Sequence, residues 1–263
     1  MTPLTTSTLN VAKYRDKPFD RPGVSDSFLK QAGVRRITAS EAQHLCGIAA
    51  GGLWLPYQTI GGKPVERECD GPQAFGRLRL NVPTDDRKYH QRAGTKPYGY
   101  LPPNLHALTA ATDLVVVEGE FKALALAEAG IPAVGVGGIN LAFTEGQLVP
   151  GLREAVQSIA LKRILFLGDG DTSLIFAFSR EAVRLTKDLP NLAIVCPRIG
   201  LDGPDKGIDD CRAKLGTEFL PYWTKLVAEA EPVSADDTAE QLALRLLKRE
   251  SHSALKQVSG VAA

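Results

Sequence analysis

Carboxylates placed at the ends of hydrophobic runs are the residues of this chain that could do chemistry. Glu118 follows the run Leu114–Val117, Asp169 and Asp171 follow Ile164–Leu167 across Gly168, and the pair Asp209–Asp210 follows Lys206, Gly207 and Ile208. Carboxylate oxygens are the ligands that hard divalent ions such as Mg²⁺ take, and a hard ion usually keeps water, which phosphate oxygens can replace. An ion so held neutralises charge at a phosphorus centre and aligns the attacking and leaving oxygens. Asp169 and Asp171 lie on one turn. With Glu118 and the Asp209–Asp210 pair they make a candidate set for one or two ions, and Glu120 would support an ion through water. Glu118 would also serve as a general acid or base if the neighbouring carboxylates raise its pKa. Lys122, one turn into the following segment, is a candidate phosphate contact, against its plainer reading as an exposed helical lysine. Every one of these acids has a competing role as a helix cap or first-turn carboxylate favoured by the helix dipole. Asp209 and Asp210 fit both roles.

The elements that must position these groups follow from local pattern. Leu114–Val117 is four apolar residues, three of them β-branched, as in a strand buried on both faces. The Ala- and Leu-rich segment from Glu120 to Ala129 favours a helix, with Gly119 letting the backbone reverse between them. The arrangement repeats about fifty residues later, where Arg163–Leu167 reads as a second buried strand before another apolar-periodic helix. Between them, Ile131–Val136 reads as a strand opening into a Gly-rich turn at Gly137–Gly138, whose backbone N–H groups face a phosphate or serve only as a turn. Residues 145–160 suggest a helix interrupted near Pro150–Gly151. A helix from about Leu174 to Leu189 then leads to the strand Leu192–Cys196. Strands alternating with helices predict parallel pairing through right-handed crossovers, with the acidic groups on the carboxyl edge, where open α/β sheets place their chemistry. Residues 218–256 read as two helices separated near Pro232, with Asp236–Asp237 opening the second.

The preceding region has another character. Residues 1–24 are rich in Thr, Ser, Pro and charge and predict a poorly ordered arm. Val24–Gly33 and Thr38–Gly47 read as short capped helices. Leu53–Ile60 alternates up to Gly61–Gly62, a hairpin signal with Pro64–Cys69 as the return strand. In Ala74–Leu80 the alternation places Arg77 and Arg79 on one face as a basic stripe. The stretch from Asp85 to Tyr100 interleaves Arg87, Lys88, Arg92 and Lys96 with Tyr89 and Tyr98 between Gly and Pro residues. Cations that track phosphates beside aromatic faces that accept bases suit a single-stranded nucleic acid. The same composition also suits a solvated loop anchored by its tyrosines. A net charge of +1 leaves any nucleic-acid face to local clustering. Cys46, Cys69, Cys196 and Cys211 form no Cys-x-x-Cys pair, which argues against a zinc ribbon. Without a signal peptide or an apolar run of membrane-spanning length, the sequence predicts a cytoplasmic protein with reduced thiols and no membrane partner.

Two of these features together, Glu118–Gly119 after one hydrophobic strand and Asp169–Gly170–Asp171 after a later one, resemble the TOPRIM domain shared by bacterial-type primases, topoisomerases, a class of nucleases and recombination mediators. The form Glu118–Gly119–Glu120 with Lys122 and Ala123 is most similar to replication proteins of phages, plasmids and other mobile elements. Pro204–Asp210 resembles the acidic loop after the third strand of primases. The resemblance covers residues 111–216 by motif and, more loosely, the chain from about residue 25. It implies an α/β fold, TOPRIM-like (Rossmann-like), with a mainly parallel sheet flanked by helices and an N-terminal α+β subdomain. The implied organisation is an arm at 1–24, the subdomain at 25–108, the TOPRIM domain at 109–216 and a helical extension at 217–263.

The function implied is primase-like nucleotidyl transfer dependent on Mg²⁺ or Mn²⁺, without zinc. Single-stranded DNA and nucleoside triphosphates would be the substrates, and a helicase or another replication protein a partner. Glu118, Asp169 and Asp171 would be catalytic, with Asp209, Asp210 and Glu120 joining them at the metal. Arg77, Arg79, Arg87, Lys88, Tyr89, Arg92, Lys96, Lys122 and Lys206 would bind template or triphosphate. The chain departs from the primase pattern at Lys122, where many primases carry Asp, and at Thr172–Ser173, where small residues are usual. A nuclease using the same ions to activate water, or a noncatalytic DNA-binding adaptor, remain alternatives from other classes. A topoisomerase fits least, since 263 residues are few for a separate strand-cleaving tyrosine domain.

Overall fold

The structure, a computed structural model, describes residues 17–66, 74–84, 87–201 and 203–260. Most of the expected arm, the Cys69 end of the expected return strand, and Asp85 lie outside the described residues. The chain divides into two compact units, one formed within residues 1–21 and 25–96, the other by 22–24 and 97–263.

The first unit carries a four-stranded antiparallel sheet. Helix α1 (Asp26–Gln31) starts where the Ser25 hydroxyl accepts from the Phe28 N–H. Strand β1 (Arg35–Ile37) leads into α2 (Ala39–Cys46), which opens with a capping box between Thr38 and Glu41. Strands β2 (Gly52–Pro56), β3 (Gly76–Thr84) and β4 (Arg87–Gln91) follow in the order β1-β2-β3-β4. Ile37, Ala42, Cys46, Trp54, Leu78 and Leu80 pack between α2 and this sheet. Three features differ from expectation. Strand β1 is three residues long, too short to show a period. The return from the Gly61–Gly62 turn is made by isolated bridges, Gln58 to Pro64 and Glu66 to Ala74, rather than a regular strand. Arg87–Gln91 is a strand rather than a loop, because successive residues pair with β3: Arg77 faces Gln91, Leu78 faces His90 and Arg79 faces Tyr89.

The second unit is a five-stranded sheet flanked by helices. Strand β5 (Asp113–Glu118) runs into α3 (Glu120–Glu128), then β6 (Ala133–Val136). A small hairpin, β7 (Phe143–Thr144) and β8 (Gln147–Leu148), precedes α4 (Leu152–Ser158), β9 (Arg163–Leu167), α5 (Phe176–Asp188) and β10 (Ala193–Cys196). Helices α6 (Ile208–Leu215) and α7 (Phe219–Ala228), strand β11 (Glu231–Val233) and helix α8 (Ala239–Gly260) complete the chain. The sheet order is β11-β10-β9-β5-β6, parallel except for β11. Strands β5 and β9 form the core: Leu114–Val117 and Ile164–Leu167 are buried throughout. Phe166 stacks on Phe178 of α5 with ring centroids 4.7 Å apart.

Two expectations are corrected here. The helix expected from Glu145 begins only at Leu152, because Glu145 and Gly146 both take positive φ to close the β7–β8 turn. The break near Pro232 is strand β11, antiparallel to β10 with Pro232 opposite Val195. Proline lacks the N–H a central strand needs, and an edge tolerates it. The segment expected as a separate helical extension therefore supplies an edge strand of the sheet. Among the described residues, no helix is long and apolar enough to cross a membrane.

Arg245 ties α8 to that edge. Its guanidinium reaches Glu231 at 2.7 Å and both oxygens of Asp237 at 2.7 and 2.8 Å. The hydrogen bond from Arg245 holds the Asp237 carboxyl below its ordinary range. A depressed carboxylate contributes stability above its unfolded pKa, about pH 4, and that contribution is lost as pH falls through the folded value. Arg245→Ala should therefore cost about 1–2 kcal/mol at pH 7, discounted for the partly exposed guanidinium. In urea melts of both proteins across pH 2–7, the gap should narrow below about pH 4. A gap independent of pH would mean Asp237 does not carry it.

Candidate active site at the carboxyl edge of the sheet

Parallel pairing of β5 with β9 sets Val117 opposite Leu167, so both strands release their acidic turns side by side. Adjacent strands lie about 4.8 Å apart. Gly119 takes φ +97°, a conformation L side chains rarely adopt, and this turns the chain from Glu118 directly into α3. Glu118 is half-buried, and its carboxyl is raised by burial. Lys122 pulls it back down, while Asp169 and Asp171 push it further up. The three acids expected to be catalytic thus share one electrostatic neighbourhood.

Each of the two aspartates carries a lysine. The Lys122 ammonium lies 2.7 Å from Asp169 Oδ1 and 2.8 Å from Oδ2, with side chains only 18% and 19% exposed. Lys206 pairs with Asp171 in the open, at 63% and 53% exposure, and holds the Asp171 carboxyl down. The Gly170 N–H donates to the Lys206 carbonyl at 3.0 Å, so the aspartate turn is tied to the loop that supplies this lysine. Thr172–Leu174 continues from Asp171 as a short 3-10 turn.

The remaining acids differ in placement: Asp209 Oδ1 and Asp210 Oδ2 border Gly207 beside the Lys122 stem, whereas Glu120 is interior. Glu120 is 1% exposed; burial, and then the Glu120 charge, raise the hydroxyl of Tyr100, which exchanges backbone hydrogen bonds with Gly135 of β6. Expected to assist a metal, Glu120 is instead an interior group on the side of β5 away from β9. Asp209 and Asp210 occupy the first turn of α6, Asp209 buried and Asp210 half-buried. They satisfy the helix-terminus role, where the dipole favours a negative charge. Asp205 binds Lys214 at 2.8 Å and accepts from the Lys206 N–H at 2.7 Å, which shapes the loop before α6.

Whether a divalent ion fits can be read from the donors. Among the described residues, no three His, Cys, Asp or Glu side chains are grouped as a metal would hold them. Asp169 gives both oxygens to Lys122. Asp171 pairs with a solvent-exposed lysine, which can swing away, and Glu118 shares its neighbourhood. Glu118 and Asp171 offer hard-oxygen donors of the type a Mg²⁺-like ion takes.

In the first unit, the expected basic residues divide by strand alternation. The Arg77 guanidinium stacks 4.9 Å over the Tyr89 ring, and Arg79 is the direct cross-strand neighbour of Tyr89. Alternation along β4 sets Arg87 on the same face and Lys88 and His90 on the other. The His90 imidazole bonds the Cys46 carbonyl at 3.0 Å, and Arg92 lines a cavity there with Gln43, His44 and Gly47. Lys96 is exposed beyond the strand. Sequence reasoning missed the pairing role of Lys122. The available signal was its place in the first turn of a helix, where the dipole disfavours a cation unless a carboxylate compensates.

A family model described as a domain of unknown function (DUF3854) matches residues 107–219. No curated protein matches the chain by sequence. Among solved structures, the zinc-binding and RNA polymerase domains of the Aquifex aeolicus primase align at TM-score 0.52 and 13% identity, over 87% of this chain and 57% of that one. The chain thus spans a little over half of that primase chain. A chain from the bacteriophage T7 lagging-strand DNA polymerase structure, with primase domains bound to an RNA/DNA hybrid and dTTP, aligns at TM-score 0.48 and 16% identity, over 84% of this chain and 100% of that one. The RNA polymerase domain of Mycobacterium tuberculosis primase DnaG aligns at 0.44 and 14%, over 87% of this chain and 78% of that one. At 13% identity, the likeness to the Aquifex primase is one of fold.

Proposed function

We propose that this protein is a primase-type nucleotidyltransferase of the TOPRIM kind, joining nucleotides on single-stranded DNA in the replication of a mobile element. The observation that carries the reading is the convergence of Glu118 with Asp169 and Asp171 at the ends of adjacent parallel strands. The primase fold likeness agrees with it. In the proposed reaction a terminal hydroxyl attacks the α-phosphate of a nucleoside triphosphate, the new phosphodiester bond forms, and pyrophosphate leaves. A bound Mg²⁺ or Mn²⁺ would neutralise charge on the phosphate, with Glu118 and Asp171 as its protein ligands. Lys122 fixes the orientation of Asp169 and thereby of the turn that carries Asp171. Lys206, released from Asp171, would meet a phosphate oxygen. On the face of β3 and β4, Arg77, Arg79 and Arg87 track backbone phosphates and Tyr89 accepts a stacked base.

The test is incorporation of labelled nucleotide on single-stranded DNA with Mg²⁺ or Mn²⁺, scored for synthesis and cleavage beside Glu118→Gln. Extended products that need nucleoside triphosphates and disappear in the variant support the reading. Cleavage of DNA without added nucleotides would assign a nuclease instead, and DNA binding with neither activity an adaptor.

A further inference from the structure

We infer that the Lys122 ammonium is a resident cation that takes the place of a second divalent ion, so that this acidic edge binds one Mg²⁺-type ion rather than a pair. The inference rests on the reading of the edge as an ion-binding phosphoryl-transfer site. Paired-ion sites hold their metals about 3.5–4 Å apart, each drawing on carboxylate oxygens. Here the Lys122 nitrogen sits 2.7 and 2.8 Å from the two oxygens of Asp169, on the side of the carboxylate that a chelated ion would take. Ion and ammonium cannot share that place, since Mg²⁺ approaches its oxygens to about 2.1 Å.

Displacing the lysine is harder here than at Asp171. Lys122 and Asp169 are both mostly buried, whereas Lys206 and Asp171 are mostly exposed. The Lys122 stem is also enclosed. A Cβ built on Gly207 would lie 3.2 Å from Lys122 Cε and 2.7 Å from Asp209 Oδ1, so a side chain there would crowd the lysine stem. A swing off Asp169 would leave that carboxylate uncompensated in a partly desolvated place. The helix start adds a second reason: a cation in the first turn of α3 opposes the dipole, so the position gains nothing unless Asp169 is there. Burial, enclosure and helix position all hold the ammonium on this aspartate.

The inference is tested by counting Mn²⁺ bound to the full chain, from loss of the free-ion signal in electron paramagnetic resonance at saturating metal. The expected count is one for the wild type, lost in Asp171→Asn. Lys122→Ala should bind two, and Lys122→Ala with Asp169→Asn should return to one. Lys122→Met, which keeps the stem volume, should also bind two and serves if the alanine variant misfolds. Two ions or none on the wild-type protein, or a count unchanged in both Lys122 variants, overturns the inference. The count needs no turnover. A chain that shows the expected counts but incorporates no nucleotide therefore rejects the proposed reaction while leaving the single-ion centre standing.

Discussion

Glu118→Gln should purify as a folded protein and incorporate nucleotide at least about 10²-fold more slowly than the wild type. The amide keeps the shape of the side chain but removes one of two anionic donors expected to hold the ion. Charge stabilisation of several kcal/mol by such an ion corresponds to roughly two to three decades of rate, at about 1.4 kcal/mol per decade. Stability should move the other way. Burial and the two aspartates raise the Glu118 carboxyl, so the folded state favours the protonated form. Stability linked to this group is fully present below its unfolded pKa and falls as pH rises through the folded value. Glutamine resembles the protonated form at every pH, so the variant should melt at or above the wild-type temperature at pH 7. A slow variant with an undiminished melting temperature separates lost chemistry from lost folding. Incorporation within a few-fold of the wild type would remove Glu118 from the proposed reaction.

Phe166→Ala should have the largest effect on folding. Phe166 is fully buried at the centre of β9 and stacks on Phe178, which joins sheet to α5. Truncating a buried phenylalanine costs about 3–5 kcal/mol through lost transfer energy and the cavity left behind. For a unit of this size each kcal/mol lowers the melting temperature by about 2–4 °C, so a fall of about 6–20 °C is expected by thermal denaturation. Phe166→Leu, which fills most of the volume, should lose far less. A fall below about 3 °C in the alanine variant would mean that this layer is not the core described here.

What the sequence made legible was what depends on local period and on strand ends. The runs ending at Glu118 and Asp169 could be recognised as buried strands because both faces of each are apolar, and a parallel sheet then forces their ends onto one edge. The capped helices around Ser25 and Thr38 were equally plain, because a cap acts over three residues. Groups set by tertiary pairing were not legible. Strand β11 contains a proline and only three residues, and it exists because β10 offers an open edge. Glu120 carries the same charge as its neighbour Glu118 but is buried, a consequence of helix phase that composition does not reveal. Lys122 looked like a surface cation because its partner lies 47 residues away in sequence and only its first-turn position hints at one.

The edge strand has a consequence for what counts as a folding unit. The family match stops at residue 219, before β11 and α8 begin. A fragment ending there would leave β10 with a bare row of backbone donors and acceptors and would uncover the side of α5 on which α8 packs. An open strand edge beside exposed apolar surface invites pairing between molecules. The segment recognisable by family is thus smaller than the segment that completes the sheet, and Pro232, with no N–H to offer, caps the sheet edge.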